Sequence, residues 1–191
     1  MSEKNDSSKS WKTIDSTQGP ELPLFQVELR LVENPRNREK LRALVLHAKD
    51  TVNVLAVDNN NHVLLVRQFR FGIDDLLLEL PAGFIDNGET ELQAAQRELV
   101  EETGYTGGSW KSLGVSFINP SYVTNRCYHF LAMGVELTEA PNPDLTEDLE
   151  LLRIPLEKML DPSASNFPIS DAIGRAGVLN AMPHLGQFLR S

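Results

Sequence analysis

The N-terminal quarter of the chain carries two short apolar blocks on either side of a polar stretch. In residues 24–32 the apolar side chains recur partly at every second position, which is the period of a strand. Residues 41–47 form a second such block, and the polar residues 33–40 predict the turn between them. The pattern therefore predicts an antiparallel hairpin. Residues 1–20 are rich in Ser, Lys, Asp and Thr, which predicts a flexible tail.

The rest of the chain alternates short apolar blocks with polar loops. Strands are predicted at 52–57, 62–69, 110–117, 127–136 and 149–153, with a further short apolar run at 76–83. Residues 139–148 are rich in Pro, Asp and Glu, and they predict a loop.

Two longer segments favour a helix. The stronger prediction is Glu91–Thr103, because Thr90 and Gln93 have the spacing of a capping box. Gly104 follows at the position where glycine commonly ends a helix. A last helix is predicted for residues 170–190, interrupted by a proline.

Composition narrows the class of protein. The 191 residues are 41% hydrophobic and 24% charged, which suits one domain with an extension and excludes collagen-like, coiled-coil and wholly disordered chains. The net charge of −9 opposes binding to nucleic acid or to an anionic membrane, so neither is expected as a partner. The single cysteine, Cys127, excludes an internal disulfide framework. Without an apolar run of about 20 residues or a secretory signal, the chain is expected to be cytoplasmic.

Three glutamates lie on one face of the predicted helix. Glu98, Glu101 and Glu102 have the spacing i, i+3 and i+4, which brings their carboxylates within one turn. Such crowding of like charge is unfavourable unless a hard divalent cation offsets it, and clustered carboxylates are typical of Mg²⁺ sites. A solvated helix face is the alternative interpretation of three glutamates considered alone.

The loop before the helix favours the metal interpretation. Gly83 and Gly88 permit unusual backbone angles or a close approach to a ligand, and Glu89 is placed to pair with Arg97. The full spacing is Gly83, five residues, Glu89, seven residues, Arg97-Glu98-Leu99, one residue, Glu101-Glu102, one residue, Gly104-Tyr105. This spacing resembles the Nudix box at every charged and glycine position. Only the last position is unusual, because Tyr105 stands where an aliphatic residue is commonest.

The resemblance implies the fold and chemistry of the Nudix hydrolase family. The implied fold is an α/β/α sandwich around a mixed sheet, here with an N-terminal β-hairpin extension. The implied metal ligands are Glu98 and Glu102, with Glu101 sharing an ion and the backbone carbonyl of Ala82 completing the set. Mg²⁺ is the implied cofactor, and Mn²⁺ is expected to substitute for it. Residues 21–49 are then a dimerising hairpin region, and residues 50–191 the Nudix domain.

Features outside the box resemble the branch of ADP-ribose pyrophosphatases and nucleotide-sugar hydrolases. They are the sequences VRQFR and LELPAG before the box, the N-terminal hairpin, and Pro120, which lies 15 residues after Tyr105. The branch implies hydrolysis of ADP-ribose or a nucleoside diphosphate sugar to a nucleoside monophosphate and a sugar phosphate. It also implies a homodimer with a shared active site. Asn125 stands where the ADP-ribose enzymes typically carry glutamate, which leaves a nucleotide-sugar preference open.

The resemblance also nominates residues for the substrate and the general base. Arg67 and Arg70 are candidates for binding phosphate or ribose, with strand-end salt bridges as the alternative. Pro120 and Phe25 complete the predicted substrate-binding set. Trp11 and Leu24 lie near the same family position and are alternatives to Phe25, for which core packing is the other interpretation. In the later acidic loop, Glu147 best matches the family position of the base, with Asp144 as the second candidate and solvated loop charges as the alternative interpretation of both.

Two other functions remain open from the sequence. One is a non-catalytic Nudix-fold sensor of a nucleotide sugar, although the intact glutamates favour an enzyme. The other is a Nudix enzyme for a different nucleoside diphosphate derivative, such as a dinucleoside polyphosphate, an mRNA cap or an oxidised nucleotide. The N-terminal hairpin and Pro120 argue against this second alternative. The sequence also leaves the preferred base and sugar open.

Overall fold

A computed structural model describes residues 10–143 and 148–186 of the chain. The described residues fall into two compact units. The N-terminal unit is formed by residues up to Lys49 together with Phe117–Asn125. The second unit, which we call the core unit, is formed by Asp50–Ser116 and by the residues from Arg126 onward.

The N-terminal unit contains an antiparallel sheet of three strands in the order β1-β2-β3. The strands are β1 (Lys12–Glu21), β2 (Gln26–Glu33) and β3 (Lys40–His47). The predicted hairpin is confirmed as β2 and β3, which pair from Gln26↔His47 to Glu33↔Lys40.

The predicted flexible tail is wrong for Lys12–Glu21, because this segment forms β1 and pairs with β2. Nearly all of its side chains are exposed, so it carries no alternation of buried and exposed apolar residues that could mark it as a strand. Its order comes from the backbone hydrogen bonds that it makes with β2. Residues 1–9 of the predicted tail lie outside the described residues.

The segment Phe117–Asn125 is attached to the end of β3. The amide of Leu46 donates to the carbonyl of Tyr122 at 2.7 Å, and the amide of Thr124 donates to the carbonyl of Leu46 at 3.0 Å. The buried Asn125 side chain donates from Nδ2 to the carbonyl of Lys49 at 3.2 Å. A segment that the sequence assigned to the Nudix domain is therefore held by the N-terminal unit.

The core unit is built on a mixed sheet of seven strands. They are β4 (Thr51–Asp58), β5 (His62–Arg70), β6 (Asp75–Glu79), β7 (Ala82–Phe84), β8 (Tyr105–Phe117), β9 (Arg126–Leu137) and β10 (Leu149–Pro155). The main order is β10-β5-β4-β9-β8, while β6 pairs with β5 and β7 pairs with β4. Strands β4 and β9 run parallel, and the pairs β4–β5 and β5–β10 are antiparallel.

Two helices flank this sheet. Helix α1 spans Glu91–Thr103, as predicted, with the capping box of Thr90 and Gln93 at its start and Gly104 at its end in the left-handed conformation, at φ 75°. Helix α2 spans Ala172–Ala181. It is shorter than the predicted helix at 170–190, because Pro183 cannot continue an α-helix and the chain turns into a short 3₁₀ segment, Met182–His184. No helix among the described residues is long and apolar enough to cross a membrane.

Each helix packs against one face of the sheet, which confirms the α/β/α sandwich. Side chains of β4 alternate between the two faces, so that Val54 packs on the side of α1 and Leu55 on the side of α2. On α1 the residues that face the sheet are Ala94, Ala95 and Leu99. An apolar stripe of Leu92, Ala95 and Leu99 is what the helical spacing predicts, but Leu92, in the first turn of the helix, is 39% exposed.

Candidate active site

The three predicted carboxylates lie along α1 at very different depths. Glu102 is buried, and its Oε2 accepts a hydrogen bond from the backbone amide of Ala82 at 3.1 Å. The Glu98 side chain is only 12% exposed, whereas that of Glu101 is 40% exposed. Glu98 and Glu102 are one turn apart, so the inner part of the site is a pair of largely buried carboxylates beside β7. A solvated helix face does not describe these two residues.

Gly83 is required by the position of Glu98. A Cβ atom added at Gly83 would overlap the Glu98 carboxylate, so no other residue fits there without displacing it. The missing side chain lets the backbone of Ala82 and Gly83 approach the carboxylate directly. The backbone at Ala82 and Gly83 and the two carboxylates therefore lie together at this point of the structure.

Arg97 holds the acidic residues in place. Its guanidinium donates to Glu89 Oε1 at 2.8 Å, to Glu98 Oε1 at 2.8 Å and to Glu101 Oε2 at 2.9 Å, and also to the carbonyl of Phe84 at 2.9 Å. The pKa of Glu89 is lowered to about 2, mainly by the hydrogen bonds from Arg97. The same carboxylates raise the pKa of Arg97 above its usual range. The predicted pairing of Arg97 with Glu89 is confirmed.

The oxygen ligands suit a divalent cation that is also bound by a substrate. Within residues 10–143 and 148–186, no three carboxylate, imidazole or thiol groups are arranged to hold a metal ion by themselves. Mg²⁺ commonly binds through one or two carboxylates together with substrate phosphates and water, so it does not need such a cage. The hard carboxylate oxygens of Glu98 and Glu102 fit that mode of binding. Because Gly83 has no side chain, the Glu98 carboxylate lies directly beside the backbone.

The two predicted arginines are both ion-paired on β5. Arg67 contacts Glu150 of β10 at 2.8 Å, and Arg70 contacts Glu79 of β6 at 2.8 Å. These are the strand-end salt bridges that the sequence left open as the alternative. Burial raises the pKa of Glu79, and the nearby Arg70 opposes that shift. The side chains of Arg67 and Arg70 are 40% and 44% exposed, so a phosphate can still reach them.

Two of the remaining predicted residues, Pro120 and Phe25, belong to the N-terminal unit. Pro120 is exposed in the segment Phe117–Asn125. Phe25 is half-buried and lines a pocket of about 340 Å³ together with neighbours that include Leu24, His47 and Lys49. Glu147 lies outside the described residues.

One buried polar network was not signalled by the sequence. His129 is fully buried on β9, with Nδ1 2.7 Å from Asn53 Oδ1 and Nε2 2.9 Å from Ser116 Oγ. Asn53 Nδ2 donates to the carbonyl of Ile173, so its Oδ1 is the acceptor and His129 carries its proton on Nδ1. Burial lowers the pKa of His129. A single histidine in a strand carries no spacing that could reveal such a network.

Cys127 has no role in the candidate site. It is buried, and burial raises the pKa of its thiol to about 11. The thiolate is the nucleophilic form, so this side chain acts as a small buried hydrophobe.

Comparison with known proteins agrees with this geometry. Residues 47–171 match the NUDIX domain model. The chain is 33% identical to an ADP-ribose pyrophosphatase of Bacillus subtilis (strain 168) over 151 residues, which are 78% of this chain and 80% of that protein. It is 34% identical to a GDP-mannose pyrophosphatase of Enterobacter sp. (strain 638) over 110 residues, which are 52% of this chain and 56% of that protein.

A crystal structure of an ADP compounds hydrolase has the same fold. It superposes with a TM-score of 0.82 at 23% identity, over 98% of this chain and 100% of that one. The domain match, the fold and the glycine-glutamate geometry around α1 lead to one conclusion: this chain is a member of the Nudix hydrolase family.

Proposed function

We propose that the protein hydrolyses the pyrophosphate bond of ADP-ribose or of a nucleoside diphosphate sugar. The products are a nucleoside monophosphate and a sugar phosphate. The observation that carries this proposal is the pair of largely buried carboxylates, Glu98 and Glu102, held against the backbone at Gly83. The relatives named for ADP-ribose and GDP-mannose support the class of substrate.

In this proposal Glu98, Glu102 and the Ala82 carbonyl hold a divalent cation, and Glu101 shares it. The cation is Mg²⁺, with Mn²⁺ as a substitute. When bound, it neutralises the pyrophosphate, lowers the pKa of water and offsets the charge that develops in phosphoryl transfer. The part of Arg97 is to hold Glu98 and Glu101 in position before the substrate arrives.

Arg67, Arg70, Pro120 and Phe25 are proposed to bind the substrate. The ion pair of Arg67 with Glu150 is exposed and contributes little stability, so a phosphate can replace Glu150 at small cost. Glu79 is largely buried, so Arg70 is proposed to bind phosphate while it keeps its contact with Glu79. The guanidinium fork matches phosphate oxygens, which favours that exchange. The half-buried ring of Phe25 borders a pocket of the N-terminal unit and is suited to stacking on a base.

Glu147 is proposed as the general base. The helix glutamates are occupied by the cation and by Arg97, so the proton acceptor has to come from elsewhere. Glu147→Gln should lower kcat about a hundredfold or more with little change in KM, the usual scale for general acid–base catalysis. Asp144→Asn, in the same acidic loop, is the matched control and should change kcat far less. If Glu147→Gln keeps most of its kcat, the base lies elsewhere.

The protein is further proposed to be a cytoplasmic homodimer joined through residues 21–49, with residues 50–191 as the catalytic domain. The single cysteine suits a reducing compartment. A small sheet with exposed apolar side chains on one face is stabilised when a second subunit covers that face.

The deciding experiment is a substrate panel in which phosphate release is coupled to a phosphatase. ADP-ribose, GDP-mannose, UDP-glucose and ADP-glucose are compared with Mg²⁺, with Mn²⁺ and in excess EDTA. We expect turnover of at least one substrate with either metal and none in EDTA. Glu98→Gln is the matched inactive variant. Binding of a panel member without any turnover would replace the proposal with the non-catalytic sensor, and full activity in EDTA would refute the metal site.

A further inference from the structure

The core unit contains a second concave site near the first turn of α1. It is an open cavity of about 420 Å³ bordered by the start of that helix and by side chains of β8 and β9. Its walls are Thr90, Glu91, Leu92, Trp110, Lys111, Ser112, Tyr128 and Phe130. The volume lies within the range of about 300–1,000 Å³ that is common for small-molecule sites.

The cavity is distinct from the carboxylate site on the same helix. Glu91 precedes Glu98 by seven residues, which is about 10 Å along a helix. None of the residues that border the cavity belongs to the proposed catalytic or metal-binding set. A ligand in this cavity would therefore not displace the pyrophosphate site.

Three aromatic rings form the apolar part of the wall. Trp110 and Phe130 meet edge to face, with ring centroids 6.3 Å apart and an angle of 65° between the planes. The indole of Trp110 is held by a hydrogen bond from Nε1 to the carbonyl of Gly107 at 2.8 Å, and Phe130 is buried. Trp110 and Tyr128 are only partly buried, so they can offer stacking surface to a planar ligand with little loss of side-chain entropy, while Phe130 supports Trp110 from the core.

The polar groups at the rim balance one another in charge. Glu91 and Lys111 supply one negative and one positive charge, and Ser112 and Tyr128 supply hydroxyl groups. Across residues 10–143 and 148–186 these four side chains form no hydrogen bond or ion pair with the protein. A neutral planar ring with hydrogen-bonding groups at its edge matches this combination. Because the charges of Glu91 and Lys111 offset one another, neither an organic cation nor an anion is favoured over a neutral ring.

We infer that this cavity binds the base of a nucleoside at a site separate from the proposed active site. Every nucleobase has a π face that stacks on an aromatic side chain, and its edge carries both donors and acceptors. The site does not depend on the proposed hydrolysis, and a nucleoside has no pyrophosphate to cleave. Binding and turnover can therefore be tested separately.

The experiment uses the tryptophan that borders the cavity. The chain has two tryptophans, so Trp11→Phe leaves Trp110 as the single fluorescent reporter. This full-length variant is titrated in EDTA with adenosine, guanosine, cytidine and uridine, with ribose as the ligand without a base and tetramethylammonium as the organic cation. We expect saturable quenching by at least one nucleoside, with a Kd of about 0.1–1 mM, and none by ribose.

Variants then locate the binding. Ser112→Phe places a ring into the cavity from an exposed position and should abolish the quenching. Tyr128→Leu removes one stacking surface and should weaken binding about fivefold or more. Tyr122→Leu, an exposed tyrosine of the N-terminal unit, is the matched control and should change nothing.

Activity assays separate this inference from the proposed function. Ser112→Phe should keep kcat/KM within about twofold of the parent, because distant sites act independently. Glu98→Gln should lose turnover but keep the quenching. The inference is overturned if no nucleoside quenches Trp110, if Ser112→Phe leaves the quenching intact, or if tetramethylammonium alone produces it.

Discussion

The two sheets of the molecule differ most in how far each is covered by the rest of its own unit. In β4, at the centre of the core sheet, seven of eight residues are buried, because α1 and α2 pack on opposite faces. In β2, at the centre of the N-terminal sheet, only two of eight are buried. In the core unit this packing holds the buried carboxylate of Glu102, on α1, against the backbone amide of Ala82 in β7. A sheet with an open apolar face is suited to binding another protein surface.

The pairing register of β2 and β3 identifies the residues on the open face of the N-terminal sheet. Leu29 pairs with Leu44, and the two side chains are 40% and 46% exposed. The opposite face carries the buried carboxylate of Glu28, which is bonded to Arg30 at 2.7 Å and to His47. The face that carries Glu28 therefore has its polar groups paired within the chain. In the proposed dimer, a second subunit covers the face that carries Leu29 and Leu44.

The largest effect is expected at the buried end of the carboxylate site. Glu102→Gln should lower kcat by about a hundredfold or more, because it removes a charged metal ligand. Loss of a residue that only supports such a ligand already lowers metal affinity or activity by about 10- to 100-fold. The melting temperature should not fall, since the amide oxygen can still accept from Ala82 and like-charge repulsion is relieved. Glu91→Gln, on the same helix, is the control and should keep its activity. Near-normal kcat/KM of Glu102→Gln at saturating Mg²⁺ would contradict the ligand role.

The second-largest effect is expected on the oligomeric state, from a substitution on the open face of the N-terminal sheet. Leu44→Lys should convert the dimer of twice 21.3 kDa into a monomer, because it places a charge in the apolar face. Leu41→Lys is the matched control, since Leu41 points to the opposite face and is already 51% exposed. Size-exclusion chromatography with light scattering measures both variants. A parent protein that is monomeric at micromolar concentration would refute the proposed dimer.

Acid should weaken the two units over different pH ranges. Burial lowers the pKa of His129 in the folded state below its unfolded value of about 6.5. As the pH falls below 6.5, the unfolded state takes up a proton before the folded state does, so the free energy of unfolding of the core unit decreases. For Glu28 the pKa falls from 4.5 to about 2, through its hydrogen bonds with Arg30 and His47. Its contribution is present above pH 4.5 and is lost only as pH falls towards 2.

Hydrogen exchange followed strand by strand can test this difference. Amides of β4 and β9 should lose protection on going from pH 7 to pH 5.5, while those of β2 and β3 keep theirs. His129→Gln should flatten the pH dependence of the core unit. The prediction fails if both sheets lose protection over the same range, or if His129→Gln leaves the dependence unchanged.

The smallest effect is expected at the start of α1. Thr90→Ala removes the hydroxyl that accepts from the amide of Gln93, at a cost of about 1 kcal/mol or about 2–4 °C in melting temperature. Thr17→Ala, on the exposed strand β1, removes a hydroxyl that caps no helix and is the control. Thermal unfolding followed by circular dichroism measures both. Equal melting temperatures of the two variants would show that the cap contributes little.

The sequence alone determined the features that depend on short-range rules. The bounds of α1 follow from its capping box and its terminal glycine, so they were predicted correctly. The place of Gly83 and the spacing of Glu98, Glu101 and Glu102 lie within 20 residues, and they identified the family correctly. The strands β2, β3, β4 and β5 were found because their apolar residues recur with a strand period or form short buried runs.

Only the tertiary structure decided the features that depend on partners distant in sequence. Strand β1 is ordered by β2 and carries no apolar period of its own. The segment Phe117–Asn125 is held by β3, although more than 70 residues separate Leu46 from Tyr122. Burial of Glu102 and of His129 arises because α1 and β9 pack on β4, and an isolated helix or strand would leave both residues in water. Local sequence cannot report such contacts, because their stabilising energy exists only after distant elements have come together.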